Sequence, residues 1–129
     1  MKILSPRVHG YLDYLVVALL FLAPTLFGFG GIAASICYVL APIQLVMSLL
    51  TAYPLGVAKV IPFPVHGGVE VVTSIGLLAA PWLFGFSALD NARNFFIVAG
   101  VGLFLVWLVT NYAAARTTTT TPNRIGIGL

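Results

Sequence analysis

The sequence predicts an all-α integral membrane protein: four transmembrane helices, built as two tandem hairpin repeats of the same orientation. Three observations predict it. Only 7% of the 129 residues are charged and 60% are apolar, whereas soluble domains carry roughly 25% charged residues. The apolar residues fall into four runs long enough to cross a bilayer. One short phrase, "VHGYLD" from Val8 to Asp13, returns as "VHGGVE" from Val65 to Glu70.

The runs cover about 9–29, 34–53, 66–86 and 94–113. Each is roughly 20 residues, or about 30 Å as a helix, which matches the hydrocarbon thickness. The breaks carry turn chemistry. "GFGG" at Gly28 to Gly31 makes a tight turn between the first two runs. "YPLGVAKVIPFP" at Tyr53 to Pro64, with its prolines, separates the second from the third. "GFSALDNAR" at Gly85 to Arg93 turns the third into the fourth, with Asp90 as the expected N-cap. Repeat 1 therefore covers 5–53, a linker 54–64 and repeat 2 65–113. The threonine-rich tail, 114–129, reads as a short disordered end.

Lysine and arginine bias sets the expected orientation. Lys2, Arg7, Lys59, Arg116 and Arg124 fall on one side of a four-span chain, and Arg93 on the other. Both termini and the central linker are expected in the cytoplasm. A cleaved signal peptide is the competing reading of the start, with Ala33 to Ser35 resembling a small-residue cleavage site. The first run is too long for that, and it has a counterpart later in the chain.

That counterpart is extensive. "VHGYLDYLVVALLFLAPTLFGF" aligns without gaps on "VHGGVEVVTSIGLLAAPWLFGF". His9 pairs with His66, Gly10 with Gly67, Asp13 with Glu70 and Pro24 with Pro81. Beyond the turn, Thr51 and Tyr53 pair with Thr110 and Tyr112. Two copies of an even-span unit share one orientation, related by a pseudo-two-fold along the membrane normal. The two histidine motifs then lie at one depth, and whether they meet depends on how the spans pack.

"APTLFGF" and "APWLFGF" give the repeat a resemblance. Ala80-Pro81-Trp82, and less closely Ala23-Pro24-Thr25, resemble the Ser-Pro-Trp signature of the SPW-repeat family of small bacterial integral membrane proteins. Alanine stands where that signature has serine. The likeness covers roughly residues 5–113. It implies the two-hairpin fold and a bacterial cytoplasmic (inner) membrane location, and it implies no activity.

The candidate chemistry lies in His9, Asp13, His66 and Glu70. The i, i+4 spacing puts each histidine and its acid on one helical face, about 6 Å apart along the axis. If the two motifs converge, imidazoles and carboxylates suit a divalent metal such as zinc, iron or manganese. Two facing histidines can instead clamp a haem iron, and histidine can handle protons near neutral pH. The structural alternative is a hydrogen-bonded clasp at two helix entrances, where an acid is favoured by the positive helix end. Pro24 and Pro81 read as fixed kinks of the repeat motif. Trp82, Tyr53 and Tyr112 read as interfacial anchors. Gln44 is expected to bond a neighbouring helix, and Gly76, Gly100 and Gly102 to permit close helix approach. Cys37 reads as an inert apolar residue.

Several classes are excluded. The cations are scattered, so no basic stripe tracks a nucleic acid. "GVG" at Gly100 to Gly102 lies inside an apolar run with Leu105 where a phosphate loop needs glycine. No serine or cysteine has a base at nucleophile spacing. Three functional readings remain. One is a non-enzymatic structural or accessory subunit, as a homo-oligomer or within a larger membrane complex. The second is a haem- or metal-binding protein, and the third an oligomeric transporter or channel lined by Asp13 and Glu70. The bilayer is the implied surrounding in each.

Overall fold

The computed structural model describes residues 2–113; the expected tail lies outside them. Four helices, α1 (Pro6–Phe27), α2 (Gly31–Leu50), α3 (Phe63–Leu83) and α4 (Asp90–Val109), account for the fold. Each is long and apolar enough to cross a membrane. Among the described residues there is no strand beyond two isolated bridges.

Every helix begins about three residues earlier than hydropathy alone suggests. The reason is local. Pro6 occupies the first turn of α1, where a missing N–H costs nothing, and the Ser5 side chain accepts from the Val8 N–H. Pro64 plays the same part in α3. His9 and His66 therefore sit one turn inside their helices rather than at the first residue. The far ends of α1 and α3 are closed alike. Gly28 and Gly85 adopt the left-handed conformation, with φ of 69° and 76°. The N–H groups of Phe29 and Phe86 then bond back to the carbonyls of Pro24 and Pro81. The N-cap of α4 is Leu89, not Asp90. Asp90 instead pairs with Arg93 one turn on, at 3.1 Å.

The helices pack mainly as two hairpins, α1 on α2 and α3 on α4, with α1 also meeting α4. The buried face of α1 holds His9, Gly10, Asp13, Val17, Leu20, Ala23 and Pro24. That of α3 holds His66, Gly67, Glu70, Ser74, Leu77, Ala80 and Pro81. The two sets correspond position by position. Small residues (Ala33, Ala34, Cys37 and Ala41) form the buried stripe of α2 and let α1 approach closely. With Phe29, Phe86, Ala92 and Phe96 they make an apolar core at the turn end of the bundle. Large apolar side chains elsewhere, such as Leu15, Ile43, Val98 and Leu105, face outward, as helices solvated by lipid require.

The opposite end is tied by backbone. Leu4, ahead of α1, exchanges hydrogen bonds with Val109, the last residue of α4, and Asn111 beyond it. Ile61, ahead of α3, does the same with Leu50, the last residue of α2, and Ala52 beyond it. These ties bring Thr51 and Thr110 to the histidines.

Candidate functional site

His9 and His66 meet. Their ring centroids are 5.6 Å apart, and both residues are fully buried. Asp13 and Glu70 are buried with them. The reason is the packing of equivalent faces. The residue pattern that buries Val17, Leu20 and Ala23 on α1 continues one turn back to Asp13 and His9, and α3 repeats it.

Each imidazole is oriented through its Nδ1. His9 Nδ1 lies 2.8 Å from Thr110 Oγ1, and His66 Nδ1 lies 2.7 Å from Thr51 Oγ1. Both hydroxyls already donate their single hydrogen to a carbonyl one turn back, Thr51 to Met47 and Thr110 to Val106. Each threonine can therefore only accept from its histidine. That places the proton of a neutral imidazole on Nδ1 and leaves the Nε2 lone pair pointing inward.

Both Nε2 atoms face carboxylates. His9 Nε2 is 3.3 Å from Asp13 Oδ1 and 3.2 Å from Glu70 Oε2. His66 Nε2 is 3.2 Å from Asp13 Oδ2. These are ion-pair distances, yet among the described residues neither Nε2 finds a hydrogen-bond partner, and Glu70 Oε1 finds none either. The shortfall is in the angles, since the separations alone are short enough. A bare Nε2 lone pair facing a carboxylate oxygen at this range is repulsive, and either a proton on Nε2 or a metal cation between them relieves it. His9 Nε2 and Glu70 Oε2, at 3.2 Å, are spaced like two ligands on one edge of a tetrahedron with bonds of about 2.0–2.1 Å, roughly 3.3 Å. One ligand atom each from His9, His66 and Glu70 falls within 4.8 Å of the others. Asp13 touches both imidazoles from outside that set.

The carboxylates are held in turn. Tyr53 Oη donates to Asp13 Oδ2 and Tyr112 Oη to Glu70 Oε2, both at 2.9 Å. Burial, and next the charge of the facing carboxylate, pushes both phenols above their ordinary range, so they stay protonated donors. Phe63 closes the site against His9, His66, Tyr53 and Tyr112.

Several expectations change here. Tyr53 is 2% exposed and serves the cluster, so neither it nor half-buried Tyr112 is an interfacial anchor. Trp82 is exposed, and Pro24 and Pro81 lie at the other end of the bundle. Gln44 bonds Ser48 of its own helix rather than a neighbour. Gly100 does lie in close contact, since an added Cβ would stand 2.7 Å from Leu78 and 3.0 Å from the Ser74 carbonyl. Gly76 and Gly102 face open space. A haem between the imidazoles does not fit, because the Asp13 and Glu70 side chains occupy the space a macrocycle needs. Thr51, Thr110, Tyr53 and Tyr112 are the site residues the sequence reading left unassigned to the site. Their matched recurrence in the two repeats was the available signal.

No protein-family model, curated protein or solved structure matches this chain.

Proposed function

We propose that this small four-helix membrane protein binds one divalent transition metal, zinc or ferrous iron, through His9 Nε2, His66 Nε2 and Glu70. The observation that carries the reading is the pair of Nε2 atoms. Both are buried and without a hydrogen bond, and each is oriented by a threonine that can only accept at Nδ1. Two histidines and one carboxylate form a donor set that leaves further coordination positions open. Thr51 and Thr110 would fix the tautomers, and Tyr112 would hold the ligating carboxylate, as outer partners of metal ligands do. Asp13 would add a second negative charge beside the cation.

A second reading rests on the 3.2–3.3 Å approaches themselves. With both imidazoles protonated, the cluster becomes a neutral clasp of two cations and two carboxylates, fitting a structural or accessory subunit. In either case we propose a place in a bacterial inner membrane, termini in the cytoplasm, and membership of the SPW-repeat family. Pro81, Trp82 and the duplicated hairpin support the family and the location, and Lys2, Arg7 and Lys59 against Arg93 support the orientation.

Metal analysis of protein purified without added chelator separates the two. The metal reading expects close to one equivalent of metal per chain, lost in His9→Ala and in His66→Ala. Metal-free wild-type protein that also fails to take up zinc or ferrous iron in titration would leave only the clasp.

A further inference from the structure

The histidines lie one turn inside their helix entrances. Ser5 caps α1 ahead of His9, and α3 begins at Phe63, ahead of His66. Lys2, Arg7 and Lys59 are exposed at this end, so it lies in water, about 6 Å from His9 along the helix axis. The opposite direction is apolar. Toward the turns the cluster gives way to a cavity of about 300 Å³, lined by exposed Leu15, Leu19, Ile43 and Val98 at its lipid side. Neither histidine lines that cavity. Beyond it lies the core of Leu20, Leu77, Phe86 and Phe96. Stripping a divalent cation of its water in hydrocarbon is prohibitive. The helix-entrance end is therefore its way in.

Among the described residues, that end is roofed. Leu55 of the linker lies over Gly10, where an added Cβ would stand 2.9 Å from its Cδ1, and the Tyr112 ring lies over Gly67, at 2.7 Å by the same measure. Phe63, 1% exposed, joins the roof to the cluster. Its ring centroid is 5.1 Å from that of His9, 5.9 Å from His66, 5.3 Å from Tyr53 and 4.5 Å from Tyr112. Helical side chains lean toward the N-terminus, so this ring covers the linker side of His66. The other parts of the roof are tied. Tyr53 donates to Asp13, Tyr112 to Glu70, and Tyr14 to the Leu55 carbonyl. The Phe63 ring carries no hydrogen-bonding group and is held by packing, so rotating it breaks none of those bonds. It also has no double in the repeat, since Pro6 stands at the matching position. We propose that Phe63 is the gate of the cluster: the cation enters and leaves at the linker end, past a Phe63 ring that swings aside. The identity of the solute rests on the metal reading, and the route does not.

The test is kinetic. Full-length protein in phosphatidylcholine nanodiscs is loaded with zinc and mixed with a chelating dye. Phe63→Ala should speed zinc uptake and release together by roughly tenfold or more, each tenfold being about 1.4 kcal/mol off the barrier. The dissociation constant should shift far less. Phe63→Leu keeps an apolar side chain but removes the ring. It should act in the same direction, and it serves if the alanine variant does not fold. Phe96→Ala truncates an equally buried ring at the turn end. It should lower the thermal midpoint and leave exchange unaltered. Exchange unaltered by both Phe63 variants, or quickened as much by Phe96→Ala, would overturn the gate and leave the metal site. The chain has two histidines, His9 and His66, so their carbethoxylation by diethyl pyrocarbonate reads the same route without metal. In untagged, metal-free protein, Phe63→Ala should react roughly tenfold faster than wild type; equal rates would overturn the gate. Protein that takes up no zinc yet shows this acceleration loses the metal and keeps the gate.

Discussion

Asp13 and Glu70 occupy matching places in the two hairpins, yet their surroundings differ. Asp13 uses both oxygens. Oδ1 faces His9, and Oδ2 faces His66 and accepts from Tyr53. Glu70 uses one. Oε2 faces His9 and accepts from Tyr112, and Oε1 makes no hydrogen bond. One extra methylene carries the glutamate head further from its backbone. A backbone with matched halves thus builds an unmatched site. Asp13 is placed to hold the hairpins together, and Glu70 to hold something else.

The largest expected effect is a crossed one. Asp13→Ala strips partners from His9, His66 and Tyr53 together. It should lower stability by roughly 3–5 kcal/mol, the range for breaking a buried pair, read as a thermal midpoint in detergent. Glu70→Ala removes fewer contacts and should lose less stability. Its metal affinity should fall by more than the 10–100-fold typical of an outer partner. Equal losses in both measurements for both variants would erase the distinction.

The tyrosines sharpen the same comparison. A phenol raised on folding stabilises the fold below its ordinary pKa of 10.0, and that contribution is lost as pH rises past it. The two tyrosines should add a fall in the thermal midpoint above about pH 10. Tyr53→Phe should lower it by about 1 kcal/mol at neutral pH and flatten the alkaline decline. Tyr112→Phe, at the more open position, should do less. A greater effect from Tyr112→Phe would point to Glu70 as the structural carboxylate.

The smallest effect concerns the second helices. Where α2 carries buried Ala41, α4 carries Gly100 against Leu78 and the Ser74 carbonyl. Gly100→Ala should destabilise by about 1–3 kcal/mol through overpacking. Gly102→Ala, facing open space, should be neutral or stabilising by up to about 1 kcal/mol. Matching effects would show that the two hairpins tolerate the same spacing.

Much of the site was legible as a pattern before it was legible as a place. His9 with Asp13 and His66 with Glu70 stand out because ionisable residues are scarce in this chain. Thr51, Tyr53, Thr110 and Tyr112 recur just as faithfully. Aromatics at span ends have an ordinary explanation, however, so their recurrence pointed nowhere in particular. The ties from Leu4 to Val109 and Asn111, and from Ile61 to Leu50 and Ala52, draw them inward. No local sequence pattern announces such ties, because they join segments distant in the chain.

The sequence by itself determined four apolar helices of membrane length, since hydropathy and helix rise are local properties. It also marked the duplicated histidine phrase, since recurrence is visible without coordinates. Only the tertiary structure decided that the two copies converge, which depends on which faces of α1 and α3 turn toward each other. It alone decided that each threonine spends its hydrogen on its own helix and so sets the opposite histidine. It alone left one buried oxygen of Glu70 without a hydrogen bond among the described residues, because side-chain reach across hairpins is a property of packing and not of order along the chain.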